Sequence, residues 1–252
     1  MEDEITNKFS DEIINKFSDE KIINFNASRY RLKIVINNLV KPFIIIFQGF
    51  NSKLFKTNNI IDYETLDYET LNKIPNYMEN TFSQNINYNY IYVTDIYQFW
   101  GSLDADNILK SLQNIIEHYK PIKIVCLGQS AGGYMSILFG NLLGVDKILS
   151  FVPQINIYTD RMNIWRRLLS TRYADKMKNF KYKNLNILQP FISKTKIYSC
   201  KGTKDIIHIN NLDKKDTNLC INYISERNTH GIISVLGKVE YIKLIMKELL
   251  NI

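Results

Sequence analysis

One hydroxyl stands out for its setting. The run Ile122-Lys123-Ile124-Val125-Cys126-Leu127-Gly128-Gln129-Ser130-Ala131-Gly132-Gly133 places a serine between glycines two residues before and two after it. The residues before it read as a buried strand, and those from 131 to 143 read as a helix. The serine therefore falls where a strand turns sharply into a helix. Glycines at these two places let the backbones approach closely, and the serine is held in a strained conformation with its hydroxyl projecting above the sheet. A hydroxyl presented in this way is a nucleophile if a neighbouring base takes its proton. The bland alternative is a tightly packed strand–helix turn whose serine is a spectator. Three histidines can be weighed as the base: His118, His208 and His230.

These groups need a scaffold to bring them together. Runs rich in β-branched and aromatic residues predict strands at about 31–37, 42–47, 88–94, 122–127, 147–152, 195–200 and 218–224. Helical patterns lie between several of them, clearest at about 106–119, 131–143 and 237–250. In the first, Ile108, Leu109, Leu112, Ile115 and Ile116 share one face at helical spacing. The unbroken apolar run Phe43-Ile44-Ile45-Ile46-Phe47 predicts a strand buried on both faces, as in a parallel sheet covered by helices on each side. This alternation predicts a three-layer α/β architecture. The stretch 153–194 breaks the rhythm and predicts a helical insertion capping one end of the sheet.

Composition narrows the function classes. The chain has 252 residues, of which 45% are hydrophobic and 23% charged, a globular balance that excludes disorder throughout. No apolar run approaches the roughly 18–20 residues that span a bilayer. The acidic start Met1-Glu2-Asp3-Glu4 is unlike a secretory signal. A soluble, cytoplasmic protein is expected. Cys126, Cys200 and Cys220 each lie in a strand-like run outside any C-x-x-C pair, which predicts buried free thiols; with three His there is little material for a metal site. Lys, Asn and Ile are abundant, as in products of AT-rich genomes.

Two short repeats occur. Asn-Lys-Phe-Ser-Asp-Glu stands at 7–12 and 15–20, and Asp-Tyr-Glu-Thr-Leu at 62–66 and 67–71. Their periods are too short for a solenoid, which needs about 20 residues or more. Residues 1–20 read as an acidic extension, and 21–252 as a single domain.

On the strand–Gly-x-Ser-x-Gly–helix unit, the chain resembles the α/β-hydrolase superfamily, whose nucleophile elbow this is, over about residues 31–250. The resemblance implies a central, mostly parallel sheet of seven or eight strands. It also implies a Ser–acid–His chain order and a serine esterase or acyl hydrolase using no metal or organic cofactor. The base is then expected between the last strand and the final helix, where His230-Gly231 lies. His208 would sit early in the preceding helix, and His118 at a helix end. The acid is expected after the strand before the last, at Asp205 of Gly202-Thr203-Lys204-Asp205; Asp205 also reads as a helix N-cap. Asp160 is the second choice. The resemblance implies oxyanion donors at the Ala131 N–H and in the loop after Phe43–Phe47, where Phe50 is the chosen residue. Gln48-Gly49 stands there in place of a His-Gly common in relatives, so Gln48 reads either as a substrate contact or as a plain strand-end residue.

Asp95…Trp100-Gly101 and Phe151-Val152-Pro153-Gln154, together with Gly-x-Ser-Ala-Gly-Gly-Tyr, resemble a branch of hydrolases found beside bacterial surface-polysaccharide genes. Trp100 and Gln154 are thus candidate substrate contacts, lying with Asp95 at the carboxyl ends of strands, with loop packing the alternative for Trp100. Gln48, and Trp165 in the basic insertion, where it offers an apolar surface for a bound acyl or sugar group, are further candidates. The net charge of +7 is concentrated. Arg161, Arg166, Arg167, Arg172, Lys176, Lys178, Lys181 and Lys183 face only Asp160 and Asp175 within 160–183. That segment reads as a solvated face, or as a cationic cap that would meet an anionic substrate or an anionic surface. No nucleic-acid module is present, and none is expected to bind. Three functions are open at this point. The first is hydrolysis of a small-molecule or glycan ester, and the second is acyl transfer to a glycan. The third is a catalytically silent hydrolase fold serving as a partner in polysaccharide assembly.

Overall fold

The computed structural model describes residues 22–27, 29–49, 76–82, 88–157, 178–202, 206–227 and 229–250. Eight strands form one sheet: β1 (Ile22–Asn26), β2 (Tyr30–Val35), β3 (Phe43–Phe47), β4 (Asn89–Asp95), β5 (Ile124–Gln129), β6 (Lys147–Phe151), β7 (Lys194–Cys200) and β8 (Leu219–Ser225). Their order is β1-β2-β4-β3-β5-β6-β7-β8. β1 and β2 pair antiparallel, as do β2 and β4; the pairings from β4 through β3 to β8 are parallel. The sheet is therefore mostly parallel. Its first strand, β1, lies ahead of every strand expected from the sequence.

Among the described residues, five α-helices accompany the sheet: α1 (Glu79–Phe82), α2 (Ala105–Tyr119), α3 (Ala131–Leu143), α4 (Ile206–Asn210) and α5 (Ile232–Leu250). β3 shows how two cores arise from one strand. Successive side chains on a strand point to opposite faces. Phe43, Ile45 and Phe47 join the core under α2 and α3, while Ile44 and Ile46 join the core under α1 and α5. All five are buried, which is why the run carries no polar alternation. α2 puts Ile108, Leu112 and Ile115 against the sheet and ends at Lys120 in a left-handed cap whose N–H donates to the Ile116 carbonyl.

α3 is apolar nearly all round and buried from Ala131 through Asn141. Its glycines let it lie directly on the sheet. A Cβ at Gly140 would come within 2.7 Å of the Ile148 side chain, and one at Gly133 within 2.9 Å of Ser150 Oγ and 3.0 Å of the Phe151 carbonyl oxygen. α5 begins five residues before the expected start at 237. Gly237 (φ 75°) interrupts it, so an extra turn at 232–236 leads from the His230 loop into the long helix.

The far end of α5 is anchored by charge. Glu248 is buried, with Oε2 2.8 Å from Lys147 Nζ and Oε1 2.9 Å from Lys196 Nζ; the Tyr198 hydroxyl donates to Oε1 at 2.7 Å. Burial works to raise the carboxyl pKa, but the two ammonium groups and the hydroxyl outweigh it and hold it at about 2.

Two expectations are revised or left outside the description. Cys126 and Cys200 are buried thiols, but Cys220 is exposed, because β8 is the outer strand and its residues are only partly covered. The extension 1–20, the repeat at 62–71 and the middle of the insertion, 158–177, lie outside the described residues. The two flanks of that insertion meet through a bridge between Asn156 and Asn184. Among the described residues, no helix is long and apolar enough to cross a membrane.

Candidate active site

β5 leads into the turn at Ser130, and α3 starts at the next residue. Ser130 has φ 58° and ψ −119°, a backbone region that L-residues rarely occupy. The surroundings enforce it. The Ser130 N–H donates to the Phe151 carbonyl at 2.9 Å, and the Ser130 carbonyl accepts from the Tyr134 N–H at 3.0 Å. A Cβ at Gly128 would lie 2.0 Å from the Gly132 carbonyl oxygen, and one at Gly132 would lie 2.2 Å from that of Phe47. The obstacles are backbone atoms, so neither position admits a side chain.

His230 Nε2 lies 2.6 Å from Ser130 Oγ. The histidine comes from the loop between β8 and α5, braced by its neighbours. Thr229 Oγ1 accepts from the Gly231 N–H at 3.1 Å, and Ser234 Oγ donates to the Gly231 carbonyl at 2.5 Å. For Oγ to give up its proton, Nε2 must be the unprotonated nitrogen, leaving the ring hydrogen on Nδ1. Asp205 and Asp160, the two candidates for holding Nδ1, lie outside the described residues, as do Phe50, Trp165, Arg166 and Arg167.

The backbone leaving β3 runs against this turn. A Cβ at Gly49 would sit 2.6 Å from the Gln129 carbonyl oxygen and 3.9 Å from the Gly132 nitrogen. Ala131 opens α3, whose first-turn N–H groups have no partner within the helix. Gln48 is tied down from behind. Its N–H donates to the Val93 carbonyl at 2.9 Å, and its Oε1 lies 3.0 Å from Thr94 Oγ1. Thr94 Oγ1 also reaches Asn76 Oδ1 at 3.2 Å, which accepts from Arg31 Nη2 at 2.9 Å. Asn76 Nδ2 donates to Glu79 at 2.7 Å, and Glu79 pairs with Lys33. A buried polar chain thus runs from β2 to the end of β3.

Gln129, next to Ser130 in the chain, is fixed on the same side of the sheet, under α5. Its Oε1 accepts from the Tyr77 hydroxyl at 3.0 Å, and that oxygen lies 2.8 Å from the Tyr241 hydroxyl on α5. Tyr77 has one proton to give, so Tyr241 donates the second bond. Burial pushes the Tyr77 hydroxyl up to about 12, keeping it protonated at neutral pH. Sequence reasoning missed Tyr77 and Thr94. Tyr77 is one of 16 tyrosines, and nothing in its neighbours marks it.

Strain gathers here. Gln98 (φ 56°), Trp100 (φ 58°), Ser130 and Val152 (φ 42°) all lie just past the carboxyl ends of β4, β5 and β6. Asp95 holds the first of these loops: Oδ1 accepts from the Tyr97 N–H at 3.1 Å and Oδ2 from the Gly101 N–H at 2.8 Å. Burial raises its carboxyl to about 6 in spite of the backbone N–H groups around it. The Trp100 ring is buried in the core, and its Nε1 donates to Gln154 Oε1 at 2.6 Å. Of the candidate substrate contacts, Gln48, Trp100 and Gln154 follow the carboxyl ends of β3, β4 and β6, and the Trp100 ring is packed in the core with its N–H on Gln154. His118 packs edge-on against Tyr119, away from the serine turn at the other end of α2. Among the described residues, no group of three or more His, Cys, Asp or Glu could hold a metal ion.

No family model and no curated protein matches the sequence. Solved structures do resemble the fold. The capsule O-acetyltransferase of Neisseria meningitidis serogroup A superposes with a TM-score of 0.58 at 19% identity, over 93% of this chain and 99% of that one. The Porphyromonas gingivalis dipeptidyl peptidase 4 matches with a TM-score of 0.57 at 13% identity, over 90% of this chain but 34% of its own. The Gap123 complex from Streptococcus agalactiae gives 0.55 at 11% identity, covering 92% and 47%. The chain has the α/β-hydrolase fold, as its strand–turn–helix motif led one to expect.

Proposed function

We propose that the protein is a serine acyl hydrolase that cleaves a carboxylic ester through an acyl-enzyme. The observation that carries the reading is the 2.6 Å approach of His230 Nε2 to the Oγ of a serine held at φ 58°. His230 takes the Oγ proton as Ser130 attacks the acyl carbonyl. The oxyanion that forms is met by the backbone N–H groups of Ala131 and Phe50. The tetrahedral intermediate collapses, and the departing alkoxide takes the proton back from His230. Water then repeats the sequence on the acyl-enzyme and regenerates Ser130. Asp205 is proposed to accept from His230 Nδ1, keeping the ring in the tautomer that attack requires and stabilising the imidazolium.

A second reading is favoured by one comparison. The capsule O-acetyltransferase matches over 93% of this chain and 99% of its own. In that reading a sugar hydroxyl takes the place of water, and the same Ser130, His230 and amides serve both half-reactions.

A fluorophosphonate probe tests the common core. Wild type should be labelled once, at Ser130, and should release acid from simple acetate esters; Ser130→Ala should do neither. Labelling of the alanine variant at one stoichiometric site would mean the nucleophile is elsewhere. Product analysis with and without an oligosaccharide acceptor then separates hydrolysis from transfer.

A further inference from the structure

We infer that Gln154 is a specificity-determining residue that donates a hydrogen bond from Nε2 to a neutral hydroxyl or ether oxygen of the substrate, its amide oriented by the Trp100 indole. The inference rests on the esterase or acyltransferase reading above and names how that site recognises an oxygen-rich alcohol half.

The orientation follows from hydrogen-bond inventory. An indole N–H can only donate. Trp100 Nε1 stands 2.6 Å from the Gln154 side-chain amide, so the atom facing it must be the carbonyl oxygen. The NH₂ group is therefore turned away from Trp100, and its two hydrogens meet no acceptor among the described residues. Trp100 is itself immobilised. Its ring is 3% exposed, it sits in a loop of left-handed residues, and Asp95 gathers the N–H groups of Tyr97 and Gly101 on either side of it. Gly101 then lies against α3, where a Cβ would come within 3.1 Å of Phe139 and 3.2 Å of Met135. The amide is thus presented by a rigid support.

Its place in the sheet says which part of a substrate it meets. β5, which carries Ser130, lies between β3 and β6. The Gly49 loop, which leads to the proposed oxyanion donor, comes from the β3 flank; Gln154 follows β6 on the opposite flank. Phe151, three residues earlier, accepts the Ser130 N–H, and Pro153 Cα would lie 3.3 Å from a Cβ at Gly133. Gln154 is half-buried and leaves the sheet beside the elbow, across from the oxyanion loop. A neutral amide donor there fits a neutral acceptor oxygen away from the reacting carbonyl.

The test compares a mono-O-acetylated methyl glucoside with hexyl acetate, which share the acetyl group and differ in the oxygens of the alcohol. Gln154→Glu keeps the size and still accepts from Trp100 but has no N–H to give, and Gln154→Ala removes the amide. In both, the ratio of kcat/KM for the glucoside to that for hexyl acetate should fall about tenfold, as loss of one hydrogen bond implies. Trp100→Phe should lower the same ratio, and adding it to Gln154→Ala should lower it no further, since the two act as one unit. The chain has 2 Trp, so its indole ¹H–¹⁵N spectrum holds two signals. The one lost in Trp100→Phe should shift in Gln154→Ala. A ratio within twofold of wild type in both Gln154 variants, or an unmoved indole signal, overturns the inference while leaving the esterase reading intact. A wild type that neither labels with fluorophosphonate nor releases acetate refutes that reading, and this inference with it.

Discussion

Ser130 Oγ and His230 Nε2, 100 residues apart in sequence, stand 2.6 Å from each other. The two side chains arrive from well-separated parts of the sheet: β5 lies near its middle and the β8–α5 loop at its edge. Groups that act as a unit lose their effect together. Ser130→Ala and His230→Ala should each reduce kcat by about 10⁵–10⁶, and the double variant should be no worse than either. Ser130→Gly should be equally inactive, yet melt above Ser130→Ala by differential scanning calorimetry, because glycine accepts φ 58° without strain.

The elbow glycines should be intolerant in a way that a distant glycine is not. Gly132→Ala places a methyl 2.2 Å from the Phe47 carbonyl oxygen, so backbone must shift at the site itself. A loss of about 1–3 kcal/mol or more and slow phosphonate labelling are expected. Gly144, at the other end of α3, has φ 63° and open space around a Cβ. Gly144→Ala should cost about 1–2 kcal/mol of conformational strain and leave the labelling rate near wild type. Equal labelling rates in the two variants would remove the argument from close approach.

Asp205, rather than Asp160, is proposed to hold the imidazole. Asp205→Asn should lower kcat by about 10⁴, by analogy with the same change in a serine protease triad. Asp160→Asn should have a small effect. The reverse order of losses would transfer the role to Asp160.

Glu248 gives the fold an acid-sensitive anchor. Its folded carboxyl titrates at about 2, below the unfolded value near 4.3. Its contribution is therefore fully present above about pH 4.3 and is lost as pH falls toward 2. A shift of this size corresponds to about 3 kcal/mol. Glu248→Gln should destabilise at pH 7 and flatten the fall in stability below pH 4.5, measured by urea unfolding across pH 3–7. Parallel pH profiles for the two proteins would show that the pairs with Lys147 and Lys196 carry no such linkage.

What the sequence determined by itself is what is encoded over short stretches. The run Phe43–Phe47 has to be buried on both faces, so it specifies a strand covered on two sides whatever its neighbours. Gly128, Ser130 and Gly132 specify the elbow because its geometry depends on missing side chains at fixed offsets, which a sequence displays directly. The place of His230 between the last strand and the last helix was legible from the strand and helix patterns that flank it, while its expected role came from the family resemblance. Tertiary structure decided the pairings between remote segments that carry no local mark. Tyr77 meets Gln129 and Tyr241, Thr94 meets Gln48, Trp100 meets Gln154, and Lys147 meets Glu248 only because strand order puts β4, β3, β5 and β6 side by side and α5 across them. β1 escaped notice because Ile22-Ile23-Asn24-Phe25-Asn26 buries alternate residues at the sheet's border, a weaker pattern than a central strand's. Cys220 turned out exposed by the same logic at the other border. Edge position is a property of the assembled sheet, and no stretch of β8 announces that it stands last in the order of the described strands.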